Sequence, residues 1–84
     1  MIKCVFFARL REQLGVSEHR VALGGEVTVQ GLVDHLIASD SDNDHWRLLL
    51  ADDIVVAKNQ QVVDRDTFIE EGDELAFFPP VTGG

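Results

Sequence analysis

The sequence predicts an α+β fold in which one mixed sheet packs a single face on one main helix. Three observations lead there. Runs rich in β-branched and aromatic residues gather at both ends of the chain. A stretch near the middle repeats its apolar residues with the period of a helix. The 84 residues make one domain, not two, so strands and helix must share one core.

Taken in order, residues 2–8 (IKCVFFA) read as the first strand. Residues 9–15 (RLREQLG) make a short helix that ends on Gly15 as its C-cap. Residues 18–23 (EHRVAL) make a second strand, closed by a turn at Gly24-Gly25. Residues 28–39 (TVQGLVDHLIAS) form the main helix, with Thr28 as N-cap and Val29, Leu32, Val33, Leu36 and Ile37 on one apolar face. Gly31 costs this helix about 1 kcal/mol against alanine, which points to an exposed face or a close backbone contact. A polar linker (39–44) precedes a second short helix at 45–52, with Trp46, Leu49 and Leu50 as its buried side. Strands at 54–59 and 61–63 turn at Asn59-Gln60. A connection (64–73) turns at Glu71-Gly72-Asp73 and leads to the last strand, 74–78 (ELAFF). Pro79 and Pro80 end that strand, because proline cannot donate to a ladder. The chain thus divides into a domain, 1–78, and an extended tail, 79–84.

Fifteen acidic residues against seven basic ones give a net charge of −8. Phosphate backbones and anionic lipids repel such a surface, which argues against nucleic acid and membranes as partners and for a basic protein. Met1-Ile2-Lys3 runs directly into the first strand with no signal-peptide pattern, and no apolar run approaches the roughly 20 residues of a membrane span. The single cysteine, Cys4, allows no disulfide within the chain, which fits a cytoplasmic location. Its apolar neighbours make it a buried small hydrophobe.

Alternation along the strands assigns faces. Lys3 shares a face with Val5 and Phe7, and lysine avoids cores, so Phe6 points in and Phe7 out. Glu74 marks the outer face of the last strand, which turns Phe77 in and Phe78 out. In QVV (61–63) the pattern does not say whether Val62 or its neighbours face out. If the first and last strands are neighbours, Phe7 and Phe78 form one exposed apolar patch, the mark of a partner site.

The tail, PPVTGG, has a use that a core does not. Two prolines favour a stiff polyproline conformation that carries the chain away from the sheet. Val81 and Thr82 offer side chains to grip. Gly83 and Gly84 make an end thin enough for a narrow channel, and its reactive group is the Gly84 carboxylate. A carboxylate reacts only when activated, and adenylation by ATP is the common route. A sulfur donor then leaves a thiocarboxylate, and an amine leaves an amide.

MIKCVFFARLRE at the start, VVAKNQ in the middle and EGDELAFFPPVTGG at the end together resemble the small subunit of molybdopterin synthase. The resemblance spans nearly the whole chain and implies a ubiquitin-like β-grasp fold. It implies a non-catalytic sulfur carrier in molybdenum cofactor synthesis, with the catalytic residues on a large subunit, two small and two large subunits assembling together. Gly84 is then the adenylated and thiocarboxylated residue, and Gly83 gives access to it. ATP is consumed by the activating enzyme, a sulfurtransferase or cysteine desulfurase supplies the sulfur, and the carrier itself holds no cofactor. The sulfur converts cyclic pyranopterin monophosphate into the molybdopterin dithiolene, one carrier per sulfur and two transfers per product. The family's hydrophobic interface maps to Phe7, Val62 and Phe78, with Arg11 beside it and Pro79, Pro80, Val81 and Thr82 along the inserted tail. Lys58 departs from the pattern, standing where relatives carry a hydrophobic residue.

Other constellations fail on spacing. His19, His35 and His45 have no ligand spacing, so no metal site is expected. Asp40, Asp42 and Asp44 resemble the start of an EF-hand loop, but His45 stands where glycine is required and Ala51 where the bidentate acid belongs. Two alternatives share the tail chemistry: a carrier for thiamin or another thiolated product, and a modifier conjugated to other proteins. Lys3 and Lys58 are the only lysines, which gives poor support to chain building on the protein itself.

Overall fold

The computed structural model describes residues 1–40 and 44–79. Its main sheet has five strands: β1 (Ile2–Phe6), β2 (Glu18–Val21), β4 (Val55–Lys58), β5 (Gln61–Val63) and β7 (Glu74–Phe78). They lie in the order β2-β1-β7-β4-β5. The first and last strands are parallel at the centre, and every other pair is antiparallel. Helices α1 (Ala8–Leu14) and α2 (Val29–Ser39) and a 3₁₀ helix (Asp44–Leu50) accompany the sheet. The core holds Ile2, Cys4 and Phe6 of β1, Leu75 and Phe77 of β7, Val56 of β4, and Val29, Leu32, Val33 and Leu36 of α2. This is the predicted mixed sheet on one main helix, with the connectivity of a β-grasp.

Each helix end has a local cause. Gly15 closes α1 in the left-handed region, φ 79°, and its amide donates to the Arg11 carbonyl. Thr28 caps α2 by accepting from the Gly31 amide at 3.0 Å. That cap explains Gly31. A Cβ there would sit 3.3 Å from Thr28 Oγ1 and 3.5 Å from Val27 Cβ, so glycine lets the cap close. The Val29 and Gln30 amides donate to the carbonyls of Thr67 and Arg65, so a crossing loop satisfies the donors that a helix start leaves free.

Four expectations need correction. The first strand ends at Phe6, not at 8, because Phe7 becomes the N-cap of α1 and Ala8 turns the chain with a φ of 52°. The second strand stops at Val21, not at 23. The helix placed at 45–52 is the 3₁₀ helix Asp44–Leu50, and Leu50 is 40% exposed rather than buried. A three-residue period aligns Trp46 with Leu49 and rotates Leu50 away. Lastly, β3 (Val27–Thr28) and β6 (Phe68–Ile69) form a two-stranded sheet of their own where only the approach to the main helix and an irregular connection were expected.

Candidate functional site

Parallel pairing of β1 and β7 brings both C-terminal ends to one edge of the molecule. Phe7 leaves β1 there, its amide donating to the Phe77 carbonyl at 3.2 Å. Phe78 ends β7 beside it. The two rings stack with centroids 4.7 Å apart and planes 5° from parallel, an offset-stack distance for aromatic pairs. Below the sheet Phe6 and Phe77 make a separate stack at 5.5 Å, fully inside the core. Alternation therefore sorts the four phenylalanines to the predicted faces, although Phe78 is half-buried rather than exposed.

The outer face grades from apolar to charged. Val5, Ala76, Ala57 and Val62 stand in register across β1, β7, β4 and β5. Val62 is 71% exposed and faces outward with them. Val55 pairs with Phe78 and is also exposed. At the far end Lys3 lies 3.8 Å from Glu74 and 3.9 Å from Glu18, with Arg20 beside Glu18. The apolar end is thus the end from which the tail departs.

Phe7, Phe78 and Val62 consequently share one face. Arg11 stands exposed one turn into α1, its amide donating to the Phe7 carbonyl at 3.3 Å. Pro79 is half-buried and forms part of the wall of a cleft on the helix side of the sheet. Pro80, Val81, Thr82, Gly83 and Gly84 lie outside the described residues. Val55 and Ala57 belong to the outer face and were missed: IVVAKN is apolar at every position before its lysine, so alternation had no reliable polar marker.

At the opposite end a clasp fixes where β7 begins. The Asn59 side chain donates to Asp73 Oδ1 at 3.1 Å and accepts from the Glu74 amide at 3.0 Å. Asp73 Oδ2 accepts from the Glu70 amide at 2.8 Å. That amide, helped by Asn59 and the charge of Lys58, holds the Asp73 carboxyl below the usual carboxylate range despite some desolvation. Lys58 itself donates to the Phe68 carbonyl at 3.0 Å. Cys4 is sealed in the core, and burial pushes its thiol up to about 12, so its sulfur is not a reactive thiolate at neutral pH. Among the described residues no group of acidic, histidine or cysteine side chains could hold a metal ion, and no helix is long and apolar enough to cross a membrane.

Comparison with known proteins agrees with this geometry. The model of the ThiS family matches residues 4–84. The chain is 45% identical to the molybdopterin synthase sulfur carrier subunit of Escherichia coli K12, over the whole of both chains. It is 36% identical to the subunit of the same name from Haemophilus influenzae, again over the whole of both. Among solved structures it is similar to SAMP1, small archaeal modifier protein 1 of Haloferax volcanii, at 32% identity and a TM-score of 0.78, covering 99% of this chain and 98% of that one. The chain belongs to the ThiS family, and the curated members it matches over its full length are molybdopterin synthase sulfur carrier subunits.

Proposed function

We propose that the chain is the sulfur-carrying small subunit of molybdopterin synthase. The observation that carries this reading is the Phe7–Phe78 stack at the root of the tail, with Val62 on the same face. A carrier needs a surface that holds the enzyme and a thin segment that enters it, and both begin at Phe78. In this reading an activating enzyme joins the Gly84 carboxylate to AMP from ATP, releasing pyrophosphate. A sulfide equivalent, supplied by a sulfurtransferase or cysteine desulfurase, displaces AMP and leaves a thiocarboxylate. The outer face then docks on the large subunit, in an assembly of two small and two large chains. Pro79 and Pro80 direct the tail inward, Val81 and Thr82 are gripped, and Gly83 and Gly84 reach cyclic pyranopterin monophosphate. Arg11 stands beside the docking face for an acidic group of the partner. The catalytic groups belong to the large subunit.

The test is an intact mass. The chain is incubated with ATP, its activating enzyme and a sulfur source, and the mass should rise by the replacement of one oxygen with sulfur at Gly84. An unchanged mass, together with full synthase activity after deletion of Gly84, removes the carrier reading.

A second reading, a protein modifier, is favoured by the similarity to SAMP1. In this chain Lys3 is set between two glutamates and Lys58 is bonded to a carbonyl, which disfavours polymer growth on the protein itself. Conjugates that survive denaturation in cells lacking the large subunit would support this reading; their absence leaves the carrier role alone.

A further inference from the structure

The tail root has a second side. Opposite the aromatic stack, α1, the 3₁₀ helix, the loop after it and Pro79 enclose a cleft of about 210 Å³. Leu10, Leu48 and Ile54 supply its apolar wall, and Arg9 and Asp53 line it with opposite charges. Both charged residues are exposed. Among the described residues neither has an ion-pair partner, and they do not pair with each other. Pro79 belongs to the cleft and directly follows Phe78 of the stack, so the cleft and the aromatic face adjoin at the Phe78-Pro79 dipeptide.

We propose that this cleft receives an arginine or lysine side chain from the large synthase subunit. The choice of occupant follows from charge and shape. The chain carries a net charge of −8, which favours a basic partner surface. A long basic side chain lays its methylenes on apolar surface and keeps its charged head at the edge. Leu10, Leu48 and Ile54 suit the stem, and Asp53, with Asp52 next to it in sequence, suits the head. Arg9, across the cleft, is left for a carbonyl or carboxylate of the same partner segment and fixes the direction in which that segment crosses. The tail root is then held from both sides, which sets the line along which the Gly-Gly end enters the large subunit. This inference rests on the carrier reading.

The experiment compares dissociation constants of the purified large subunit with the full chain and four variants. Asp53→Lys reverses the charge of the cleft, and Ala51→Trp fills it from its rim. Both positions are exposed, and Ala51 makes its bonds through the backbone, donating to Leu48 and accepting from Arg65. Glu26→Lys, at an exposed position in the turn before β3, changes net charge equally. Phe78→Ala tests the aromatic face independently. Asp53→Lys and Ala51→Trp should each weaken the complex about tenfold or more, and Glu26→Lys by less than about threefold. If Asp53→Lys binds like Glu26→Lys while Phe78→Ala is impaired, the cleft proposal is overturned and the carrier reading stands. If the unmodified chain does not bind the large subunit at all, both fall. Thermal melts show whether each variant is folded; should Ala51→Trp fail to fold, Asp53→Lys decides alone.

Discussion

Phe77 and Phe78 are adjacent in the chain and differ in what holds them. Phe77 is fully buried against Phe6, and truncating a core phenylalanine to alanine costs about 3–5 kcal/mol. Phe78 is half-buried, and its ring stacks on Phe7, a contact that contributes about 0.5–1.5 kcal/mol. Phe77→Ala should therefore lower the melting temperature by well over ten degrees, if the chain still folds, at the several degrees per kcal/mol usual for domains this small. Phe78→Ala should lower it by only a few degrees yet weaken the complex with the large subunit by more than about tenfold, as expected for an aromatic anchor. Calorimetric melts and titrations of the two variants check this, and equal thermal losses would mean that Phe78 is a core residue. Asp73 makes a separate prediction about acid stability. Its folded-state affinity for a proton is depressed, so its contribution is present above the unfolded carboxylate pKa of about 3.9 and is lost as pH falls through the lower folded value. Asp73→Asn should flatten this part of the acid limb in denaturation profiles below about pH 4, and an unchanged slope would remove the assignment.

Among the elements, β4 and its turn show most clearly where the sequence was readable and where it was not. The strand at 74–78, the Gly15 cap and the Thr28 cap were legible because each has a marker: alternation against a charge, a glycine in the left-handed region, a threonine before an apolar period. β4 carries a misleading marker. Lys58 pairs with the buried Leu75, on the inner side of the sheet, and escapes the core because its long stem reaches the Phe68 carbonyl at the rim. A lysine taken as an outward flag would have turned Val55 and Ala57 inward. The β3–β6 pair was hidden for a different reason: two residues a side are too few for any period to show. The β4–β5 turn carries a cost of its own. Asn59 and Gln60 both have positive φ, 49° and 74°, as the two central residues of a type I′ turn do. Asparagine tolerates this conformation and glutamine does so poorly. Gln60→Gly should raise stability by about 0.5–1 kcal/mol, the strain relieved exceeding the extra freedom given to the unfolded chain. A melting temperature that falls would show that Gln60 makes a compensating contact.

At the scale of the whole molecule, charge and connectivity bear on the proposed carrier role. A net charge of −8 on a domain this small creates a field that steers basic surfaces toward it. If the apolar stack is the docking face proposed above, the association rate with the large subunit should fall steeply as salt rises while the dissociation rate changes little. Stopped-flow mixing across a salt series measures this, and a salt-independent association rate would assign no steering role to the acidic surface. The β-grasp connectivity was legible only through resemblance, because no local pattern reports that the first strand will lie parallel to the last. That pairing has a consequence for the order of events in the life of the protein. Phe7 and Phe78 stand at opposite ends of the domain, and they become neighbours only when β7 enters the sheet beside β1. A chain in which β7 has not paired with β1 lacks the stacked Phe7–Phe78 face, whatever tail it carries. Everything between the two rings must be made and folded before a partner can recognise this surface, so the same contact that builds it also reports that the domain behind it is closed.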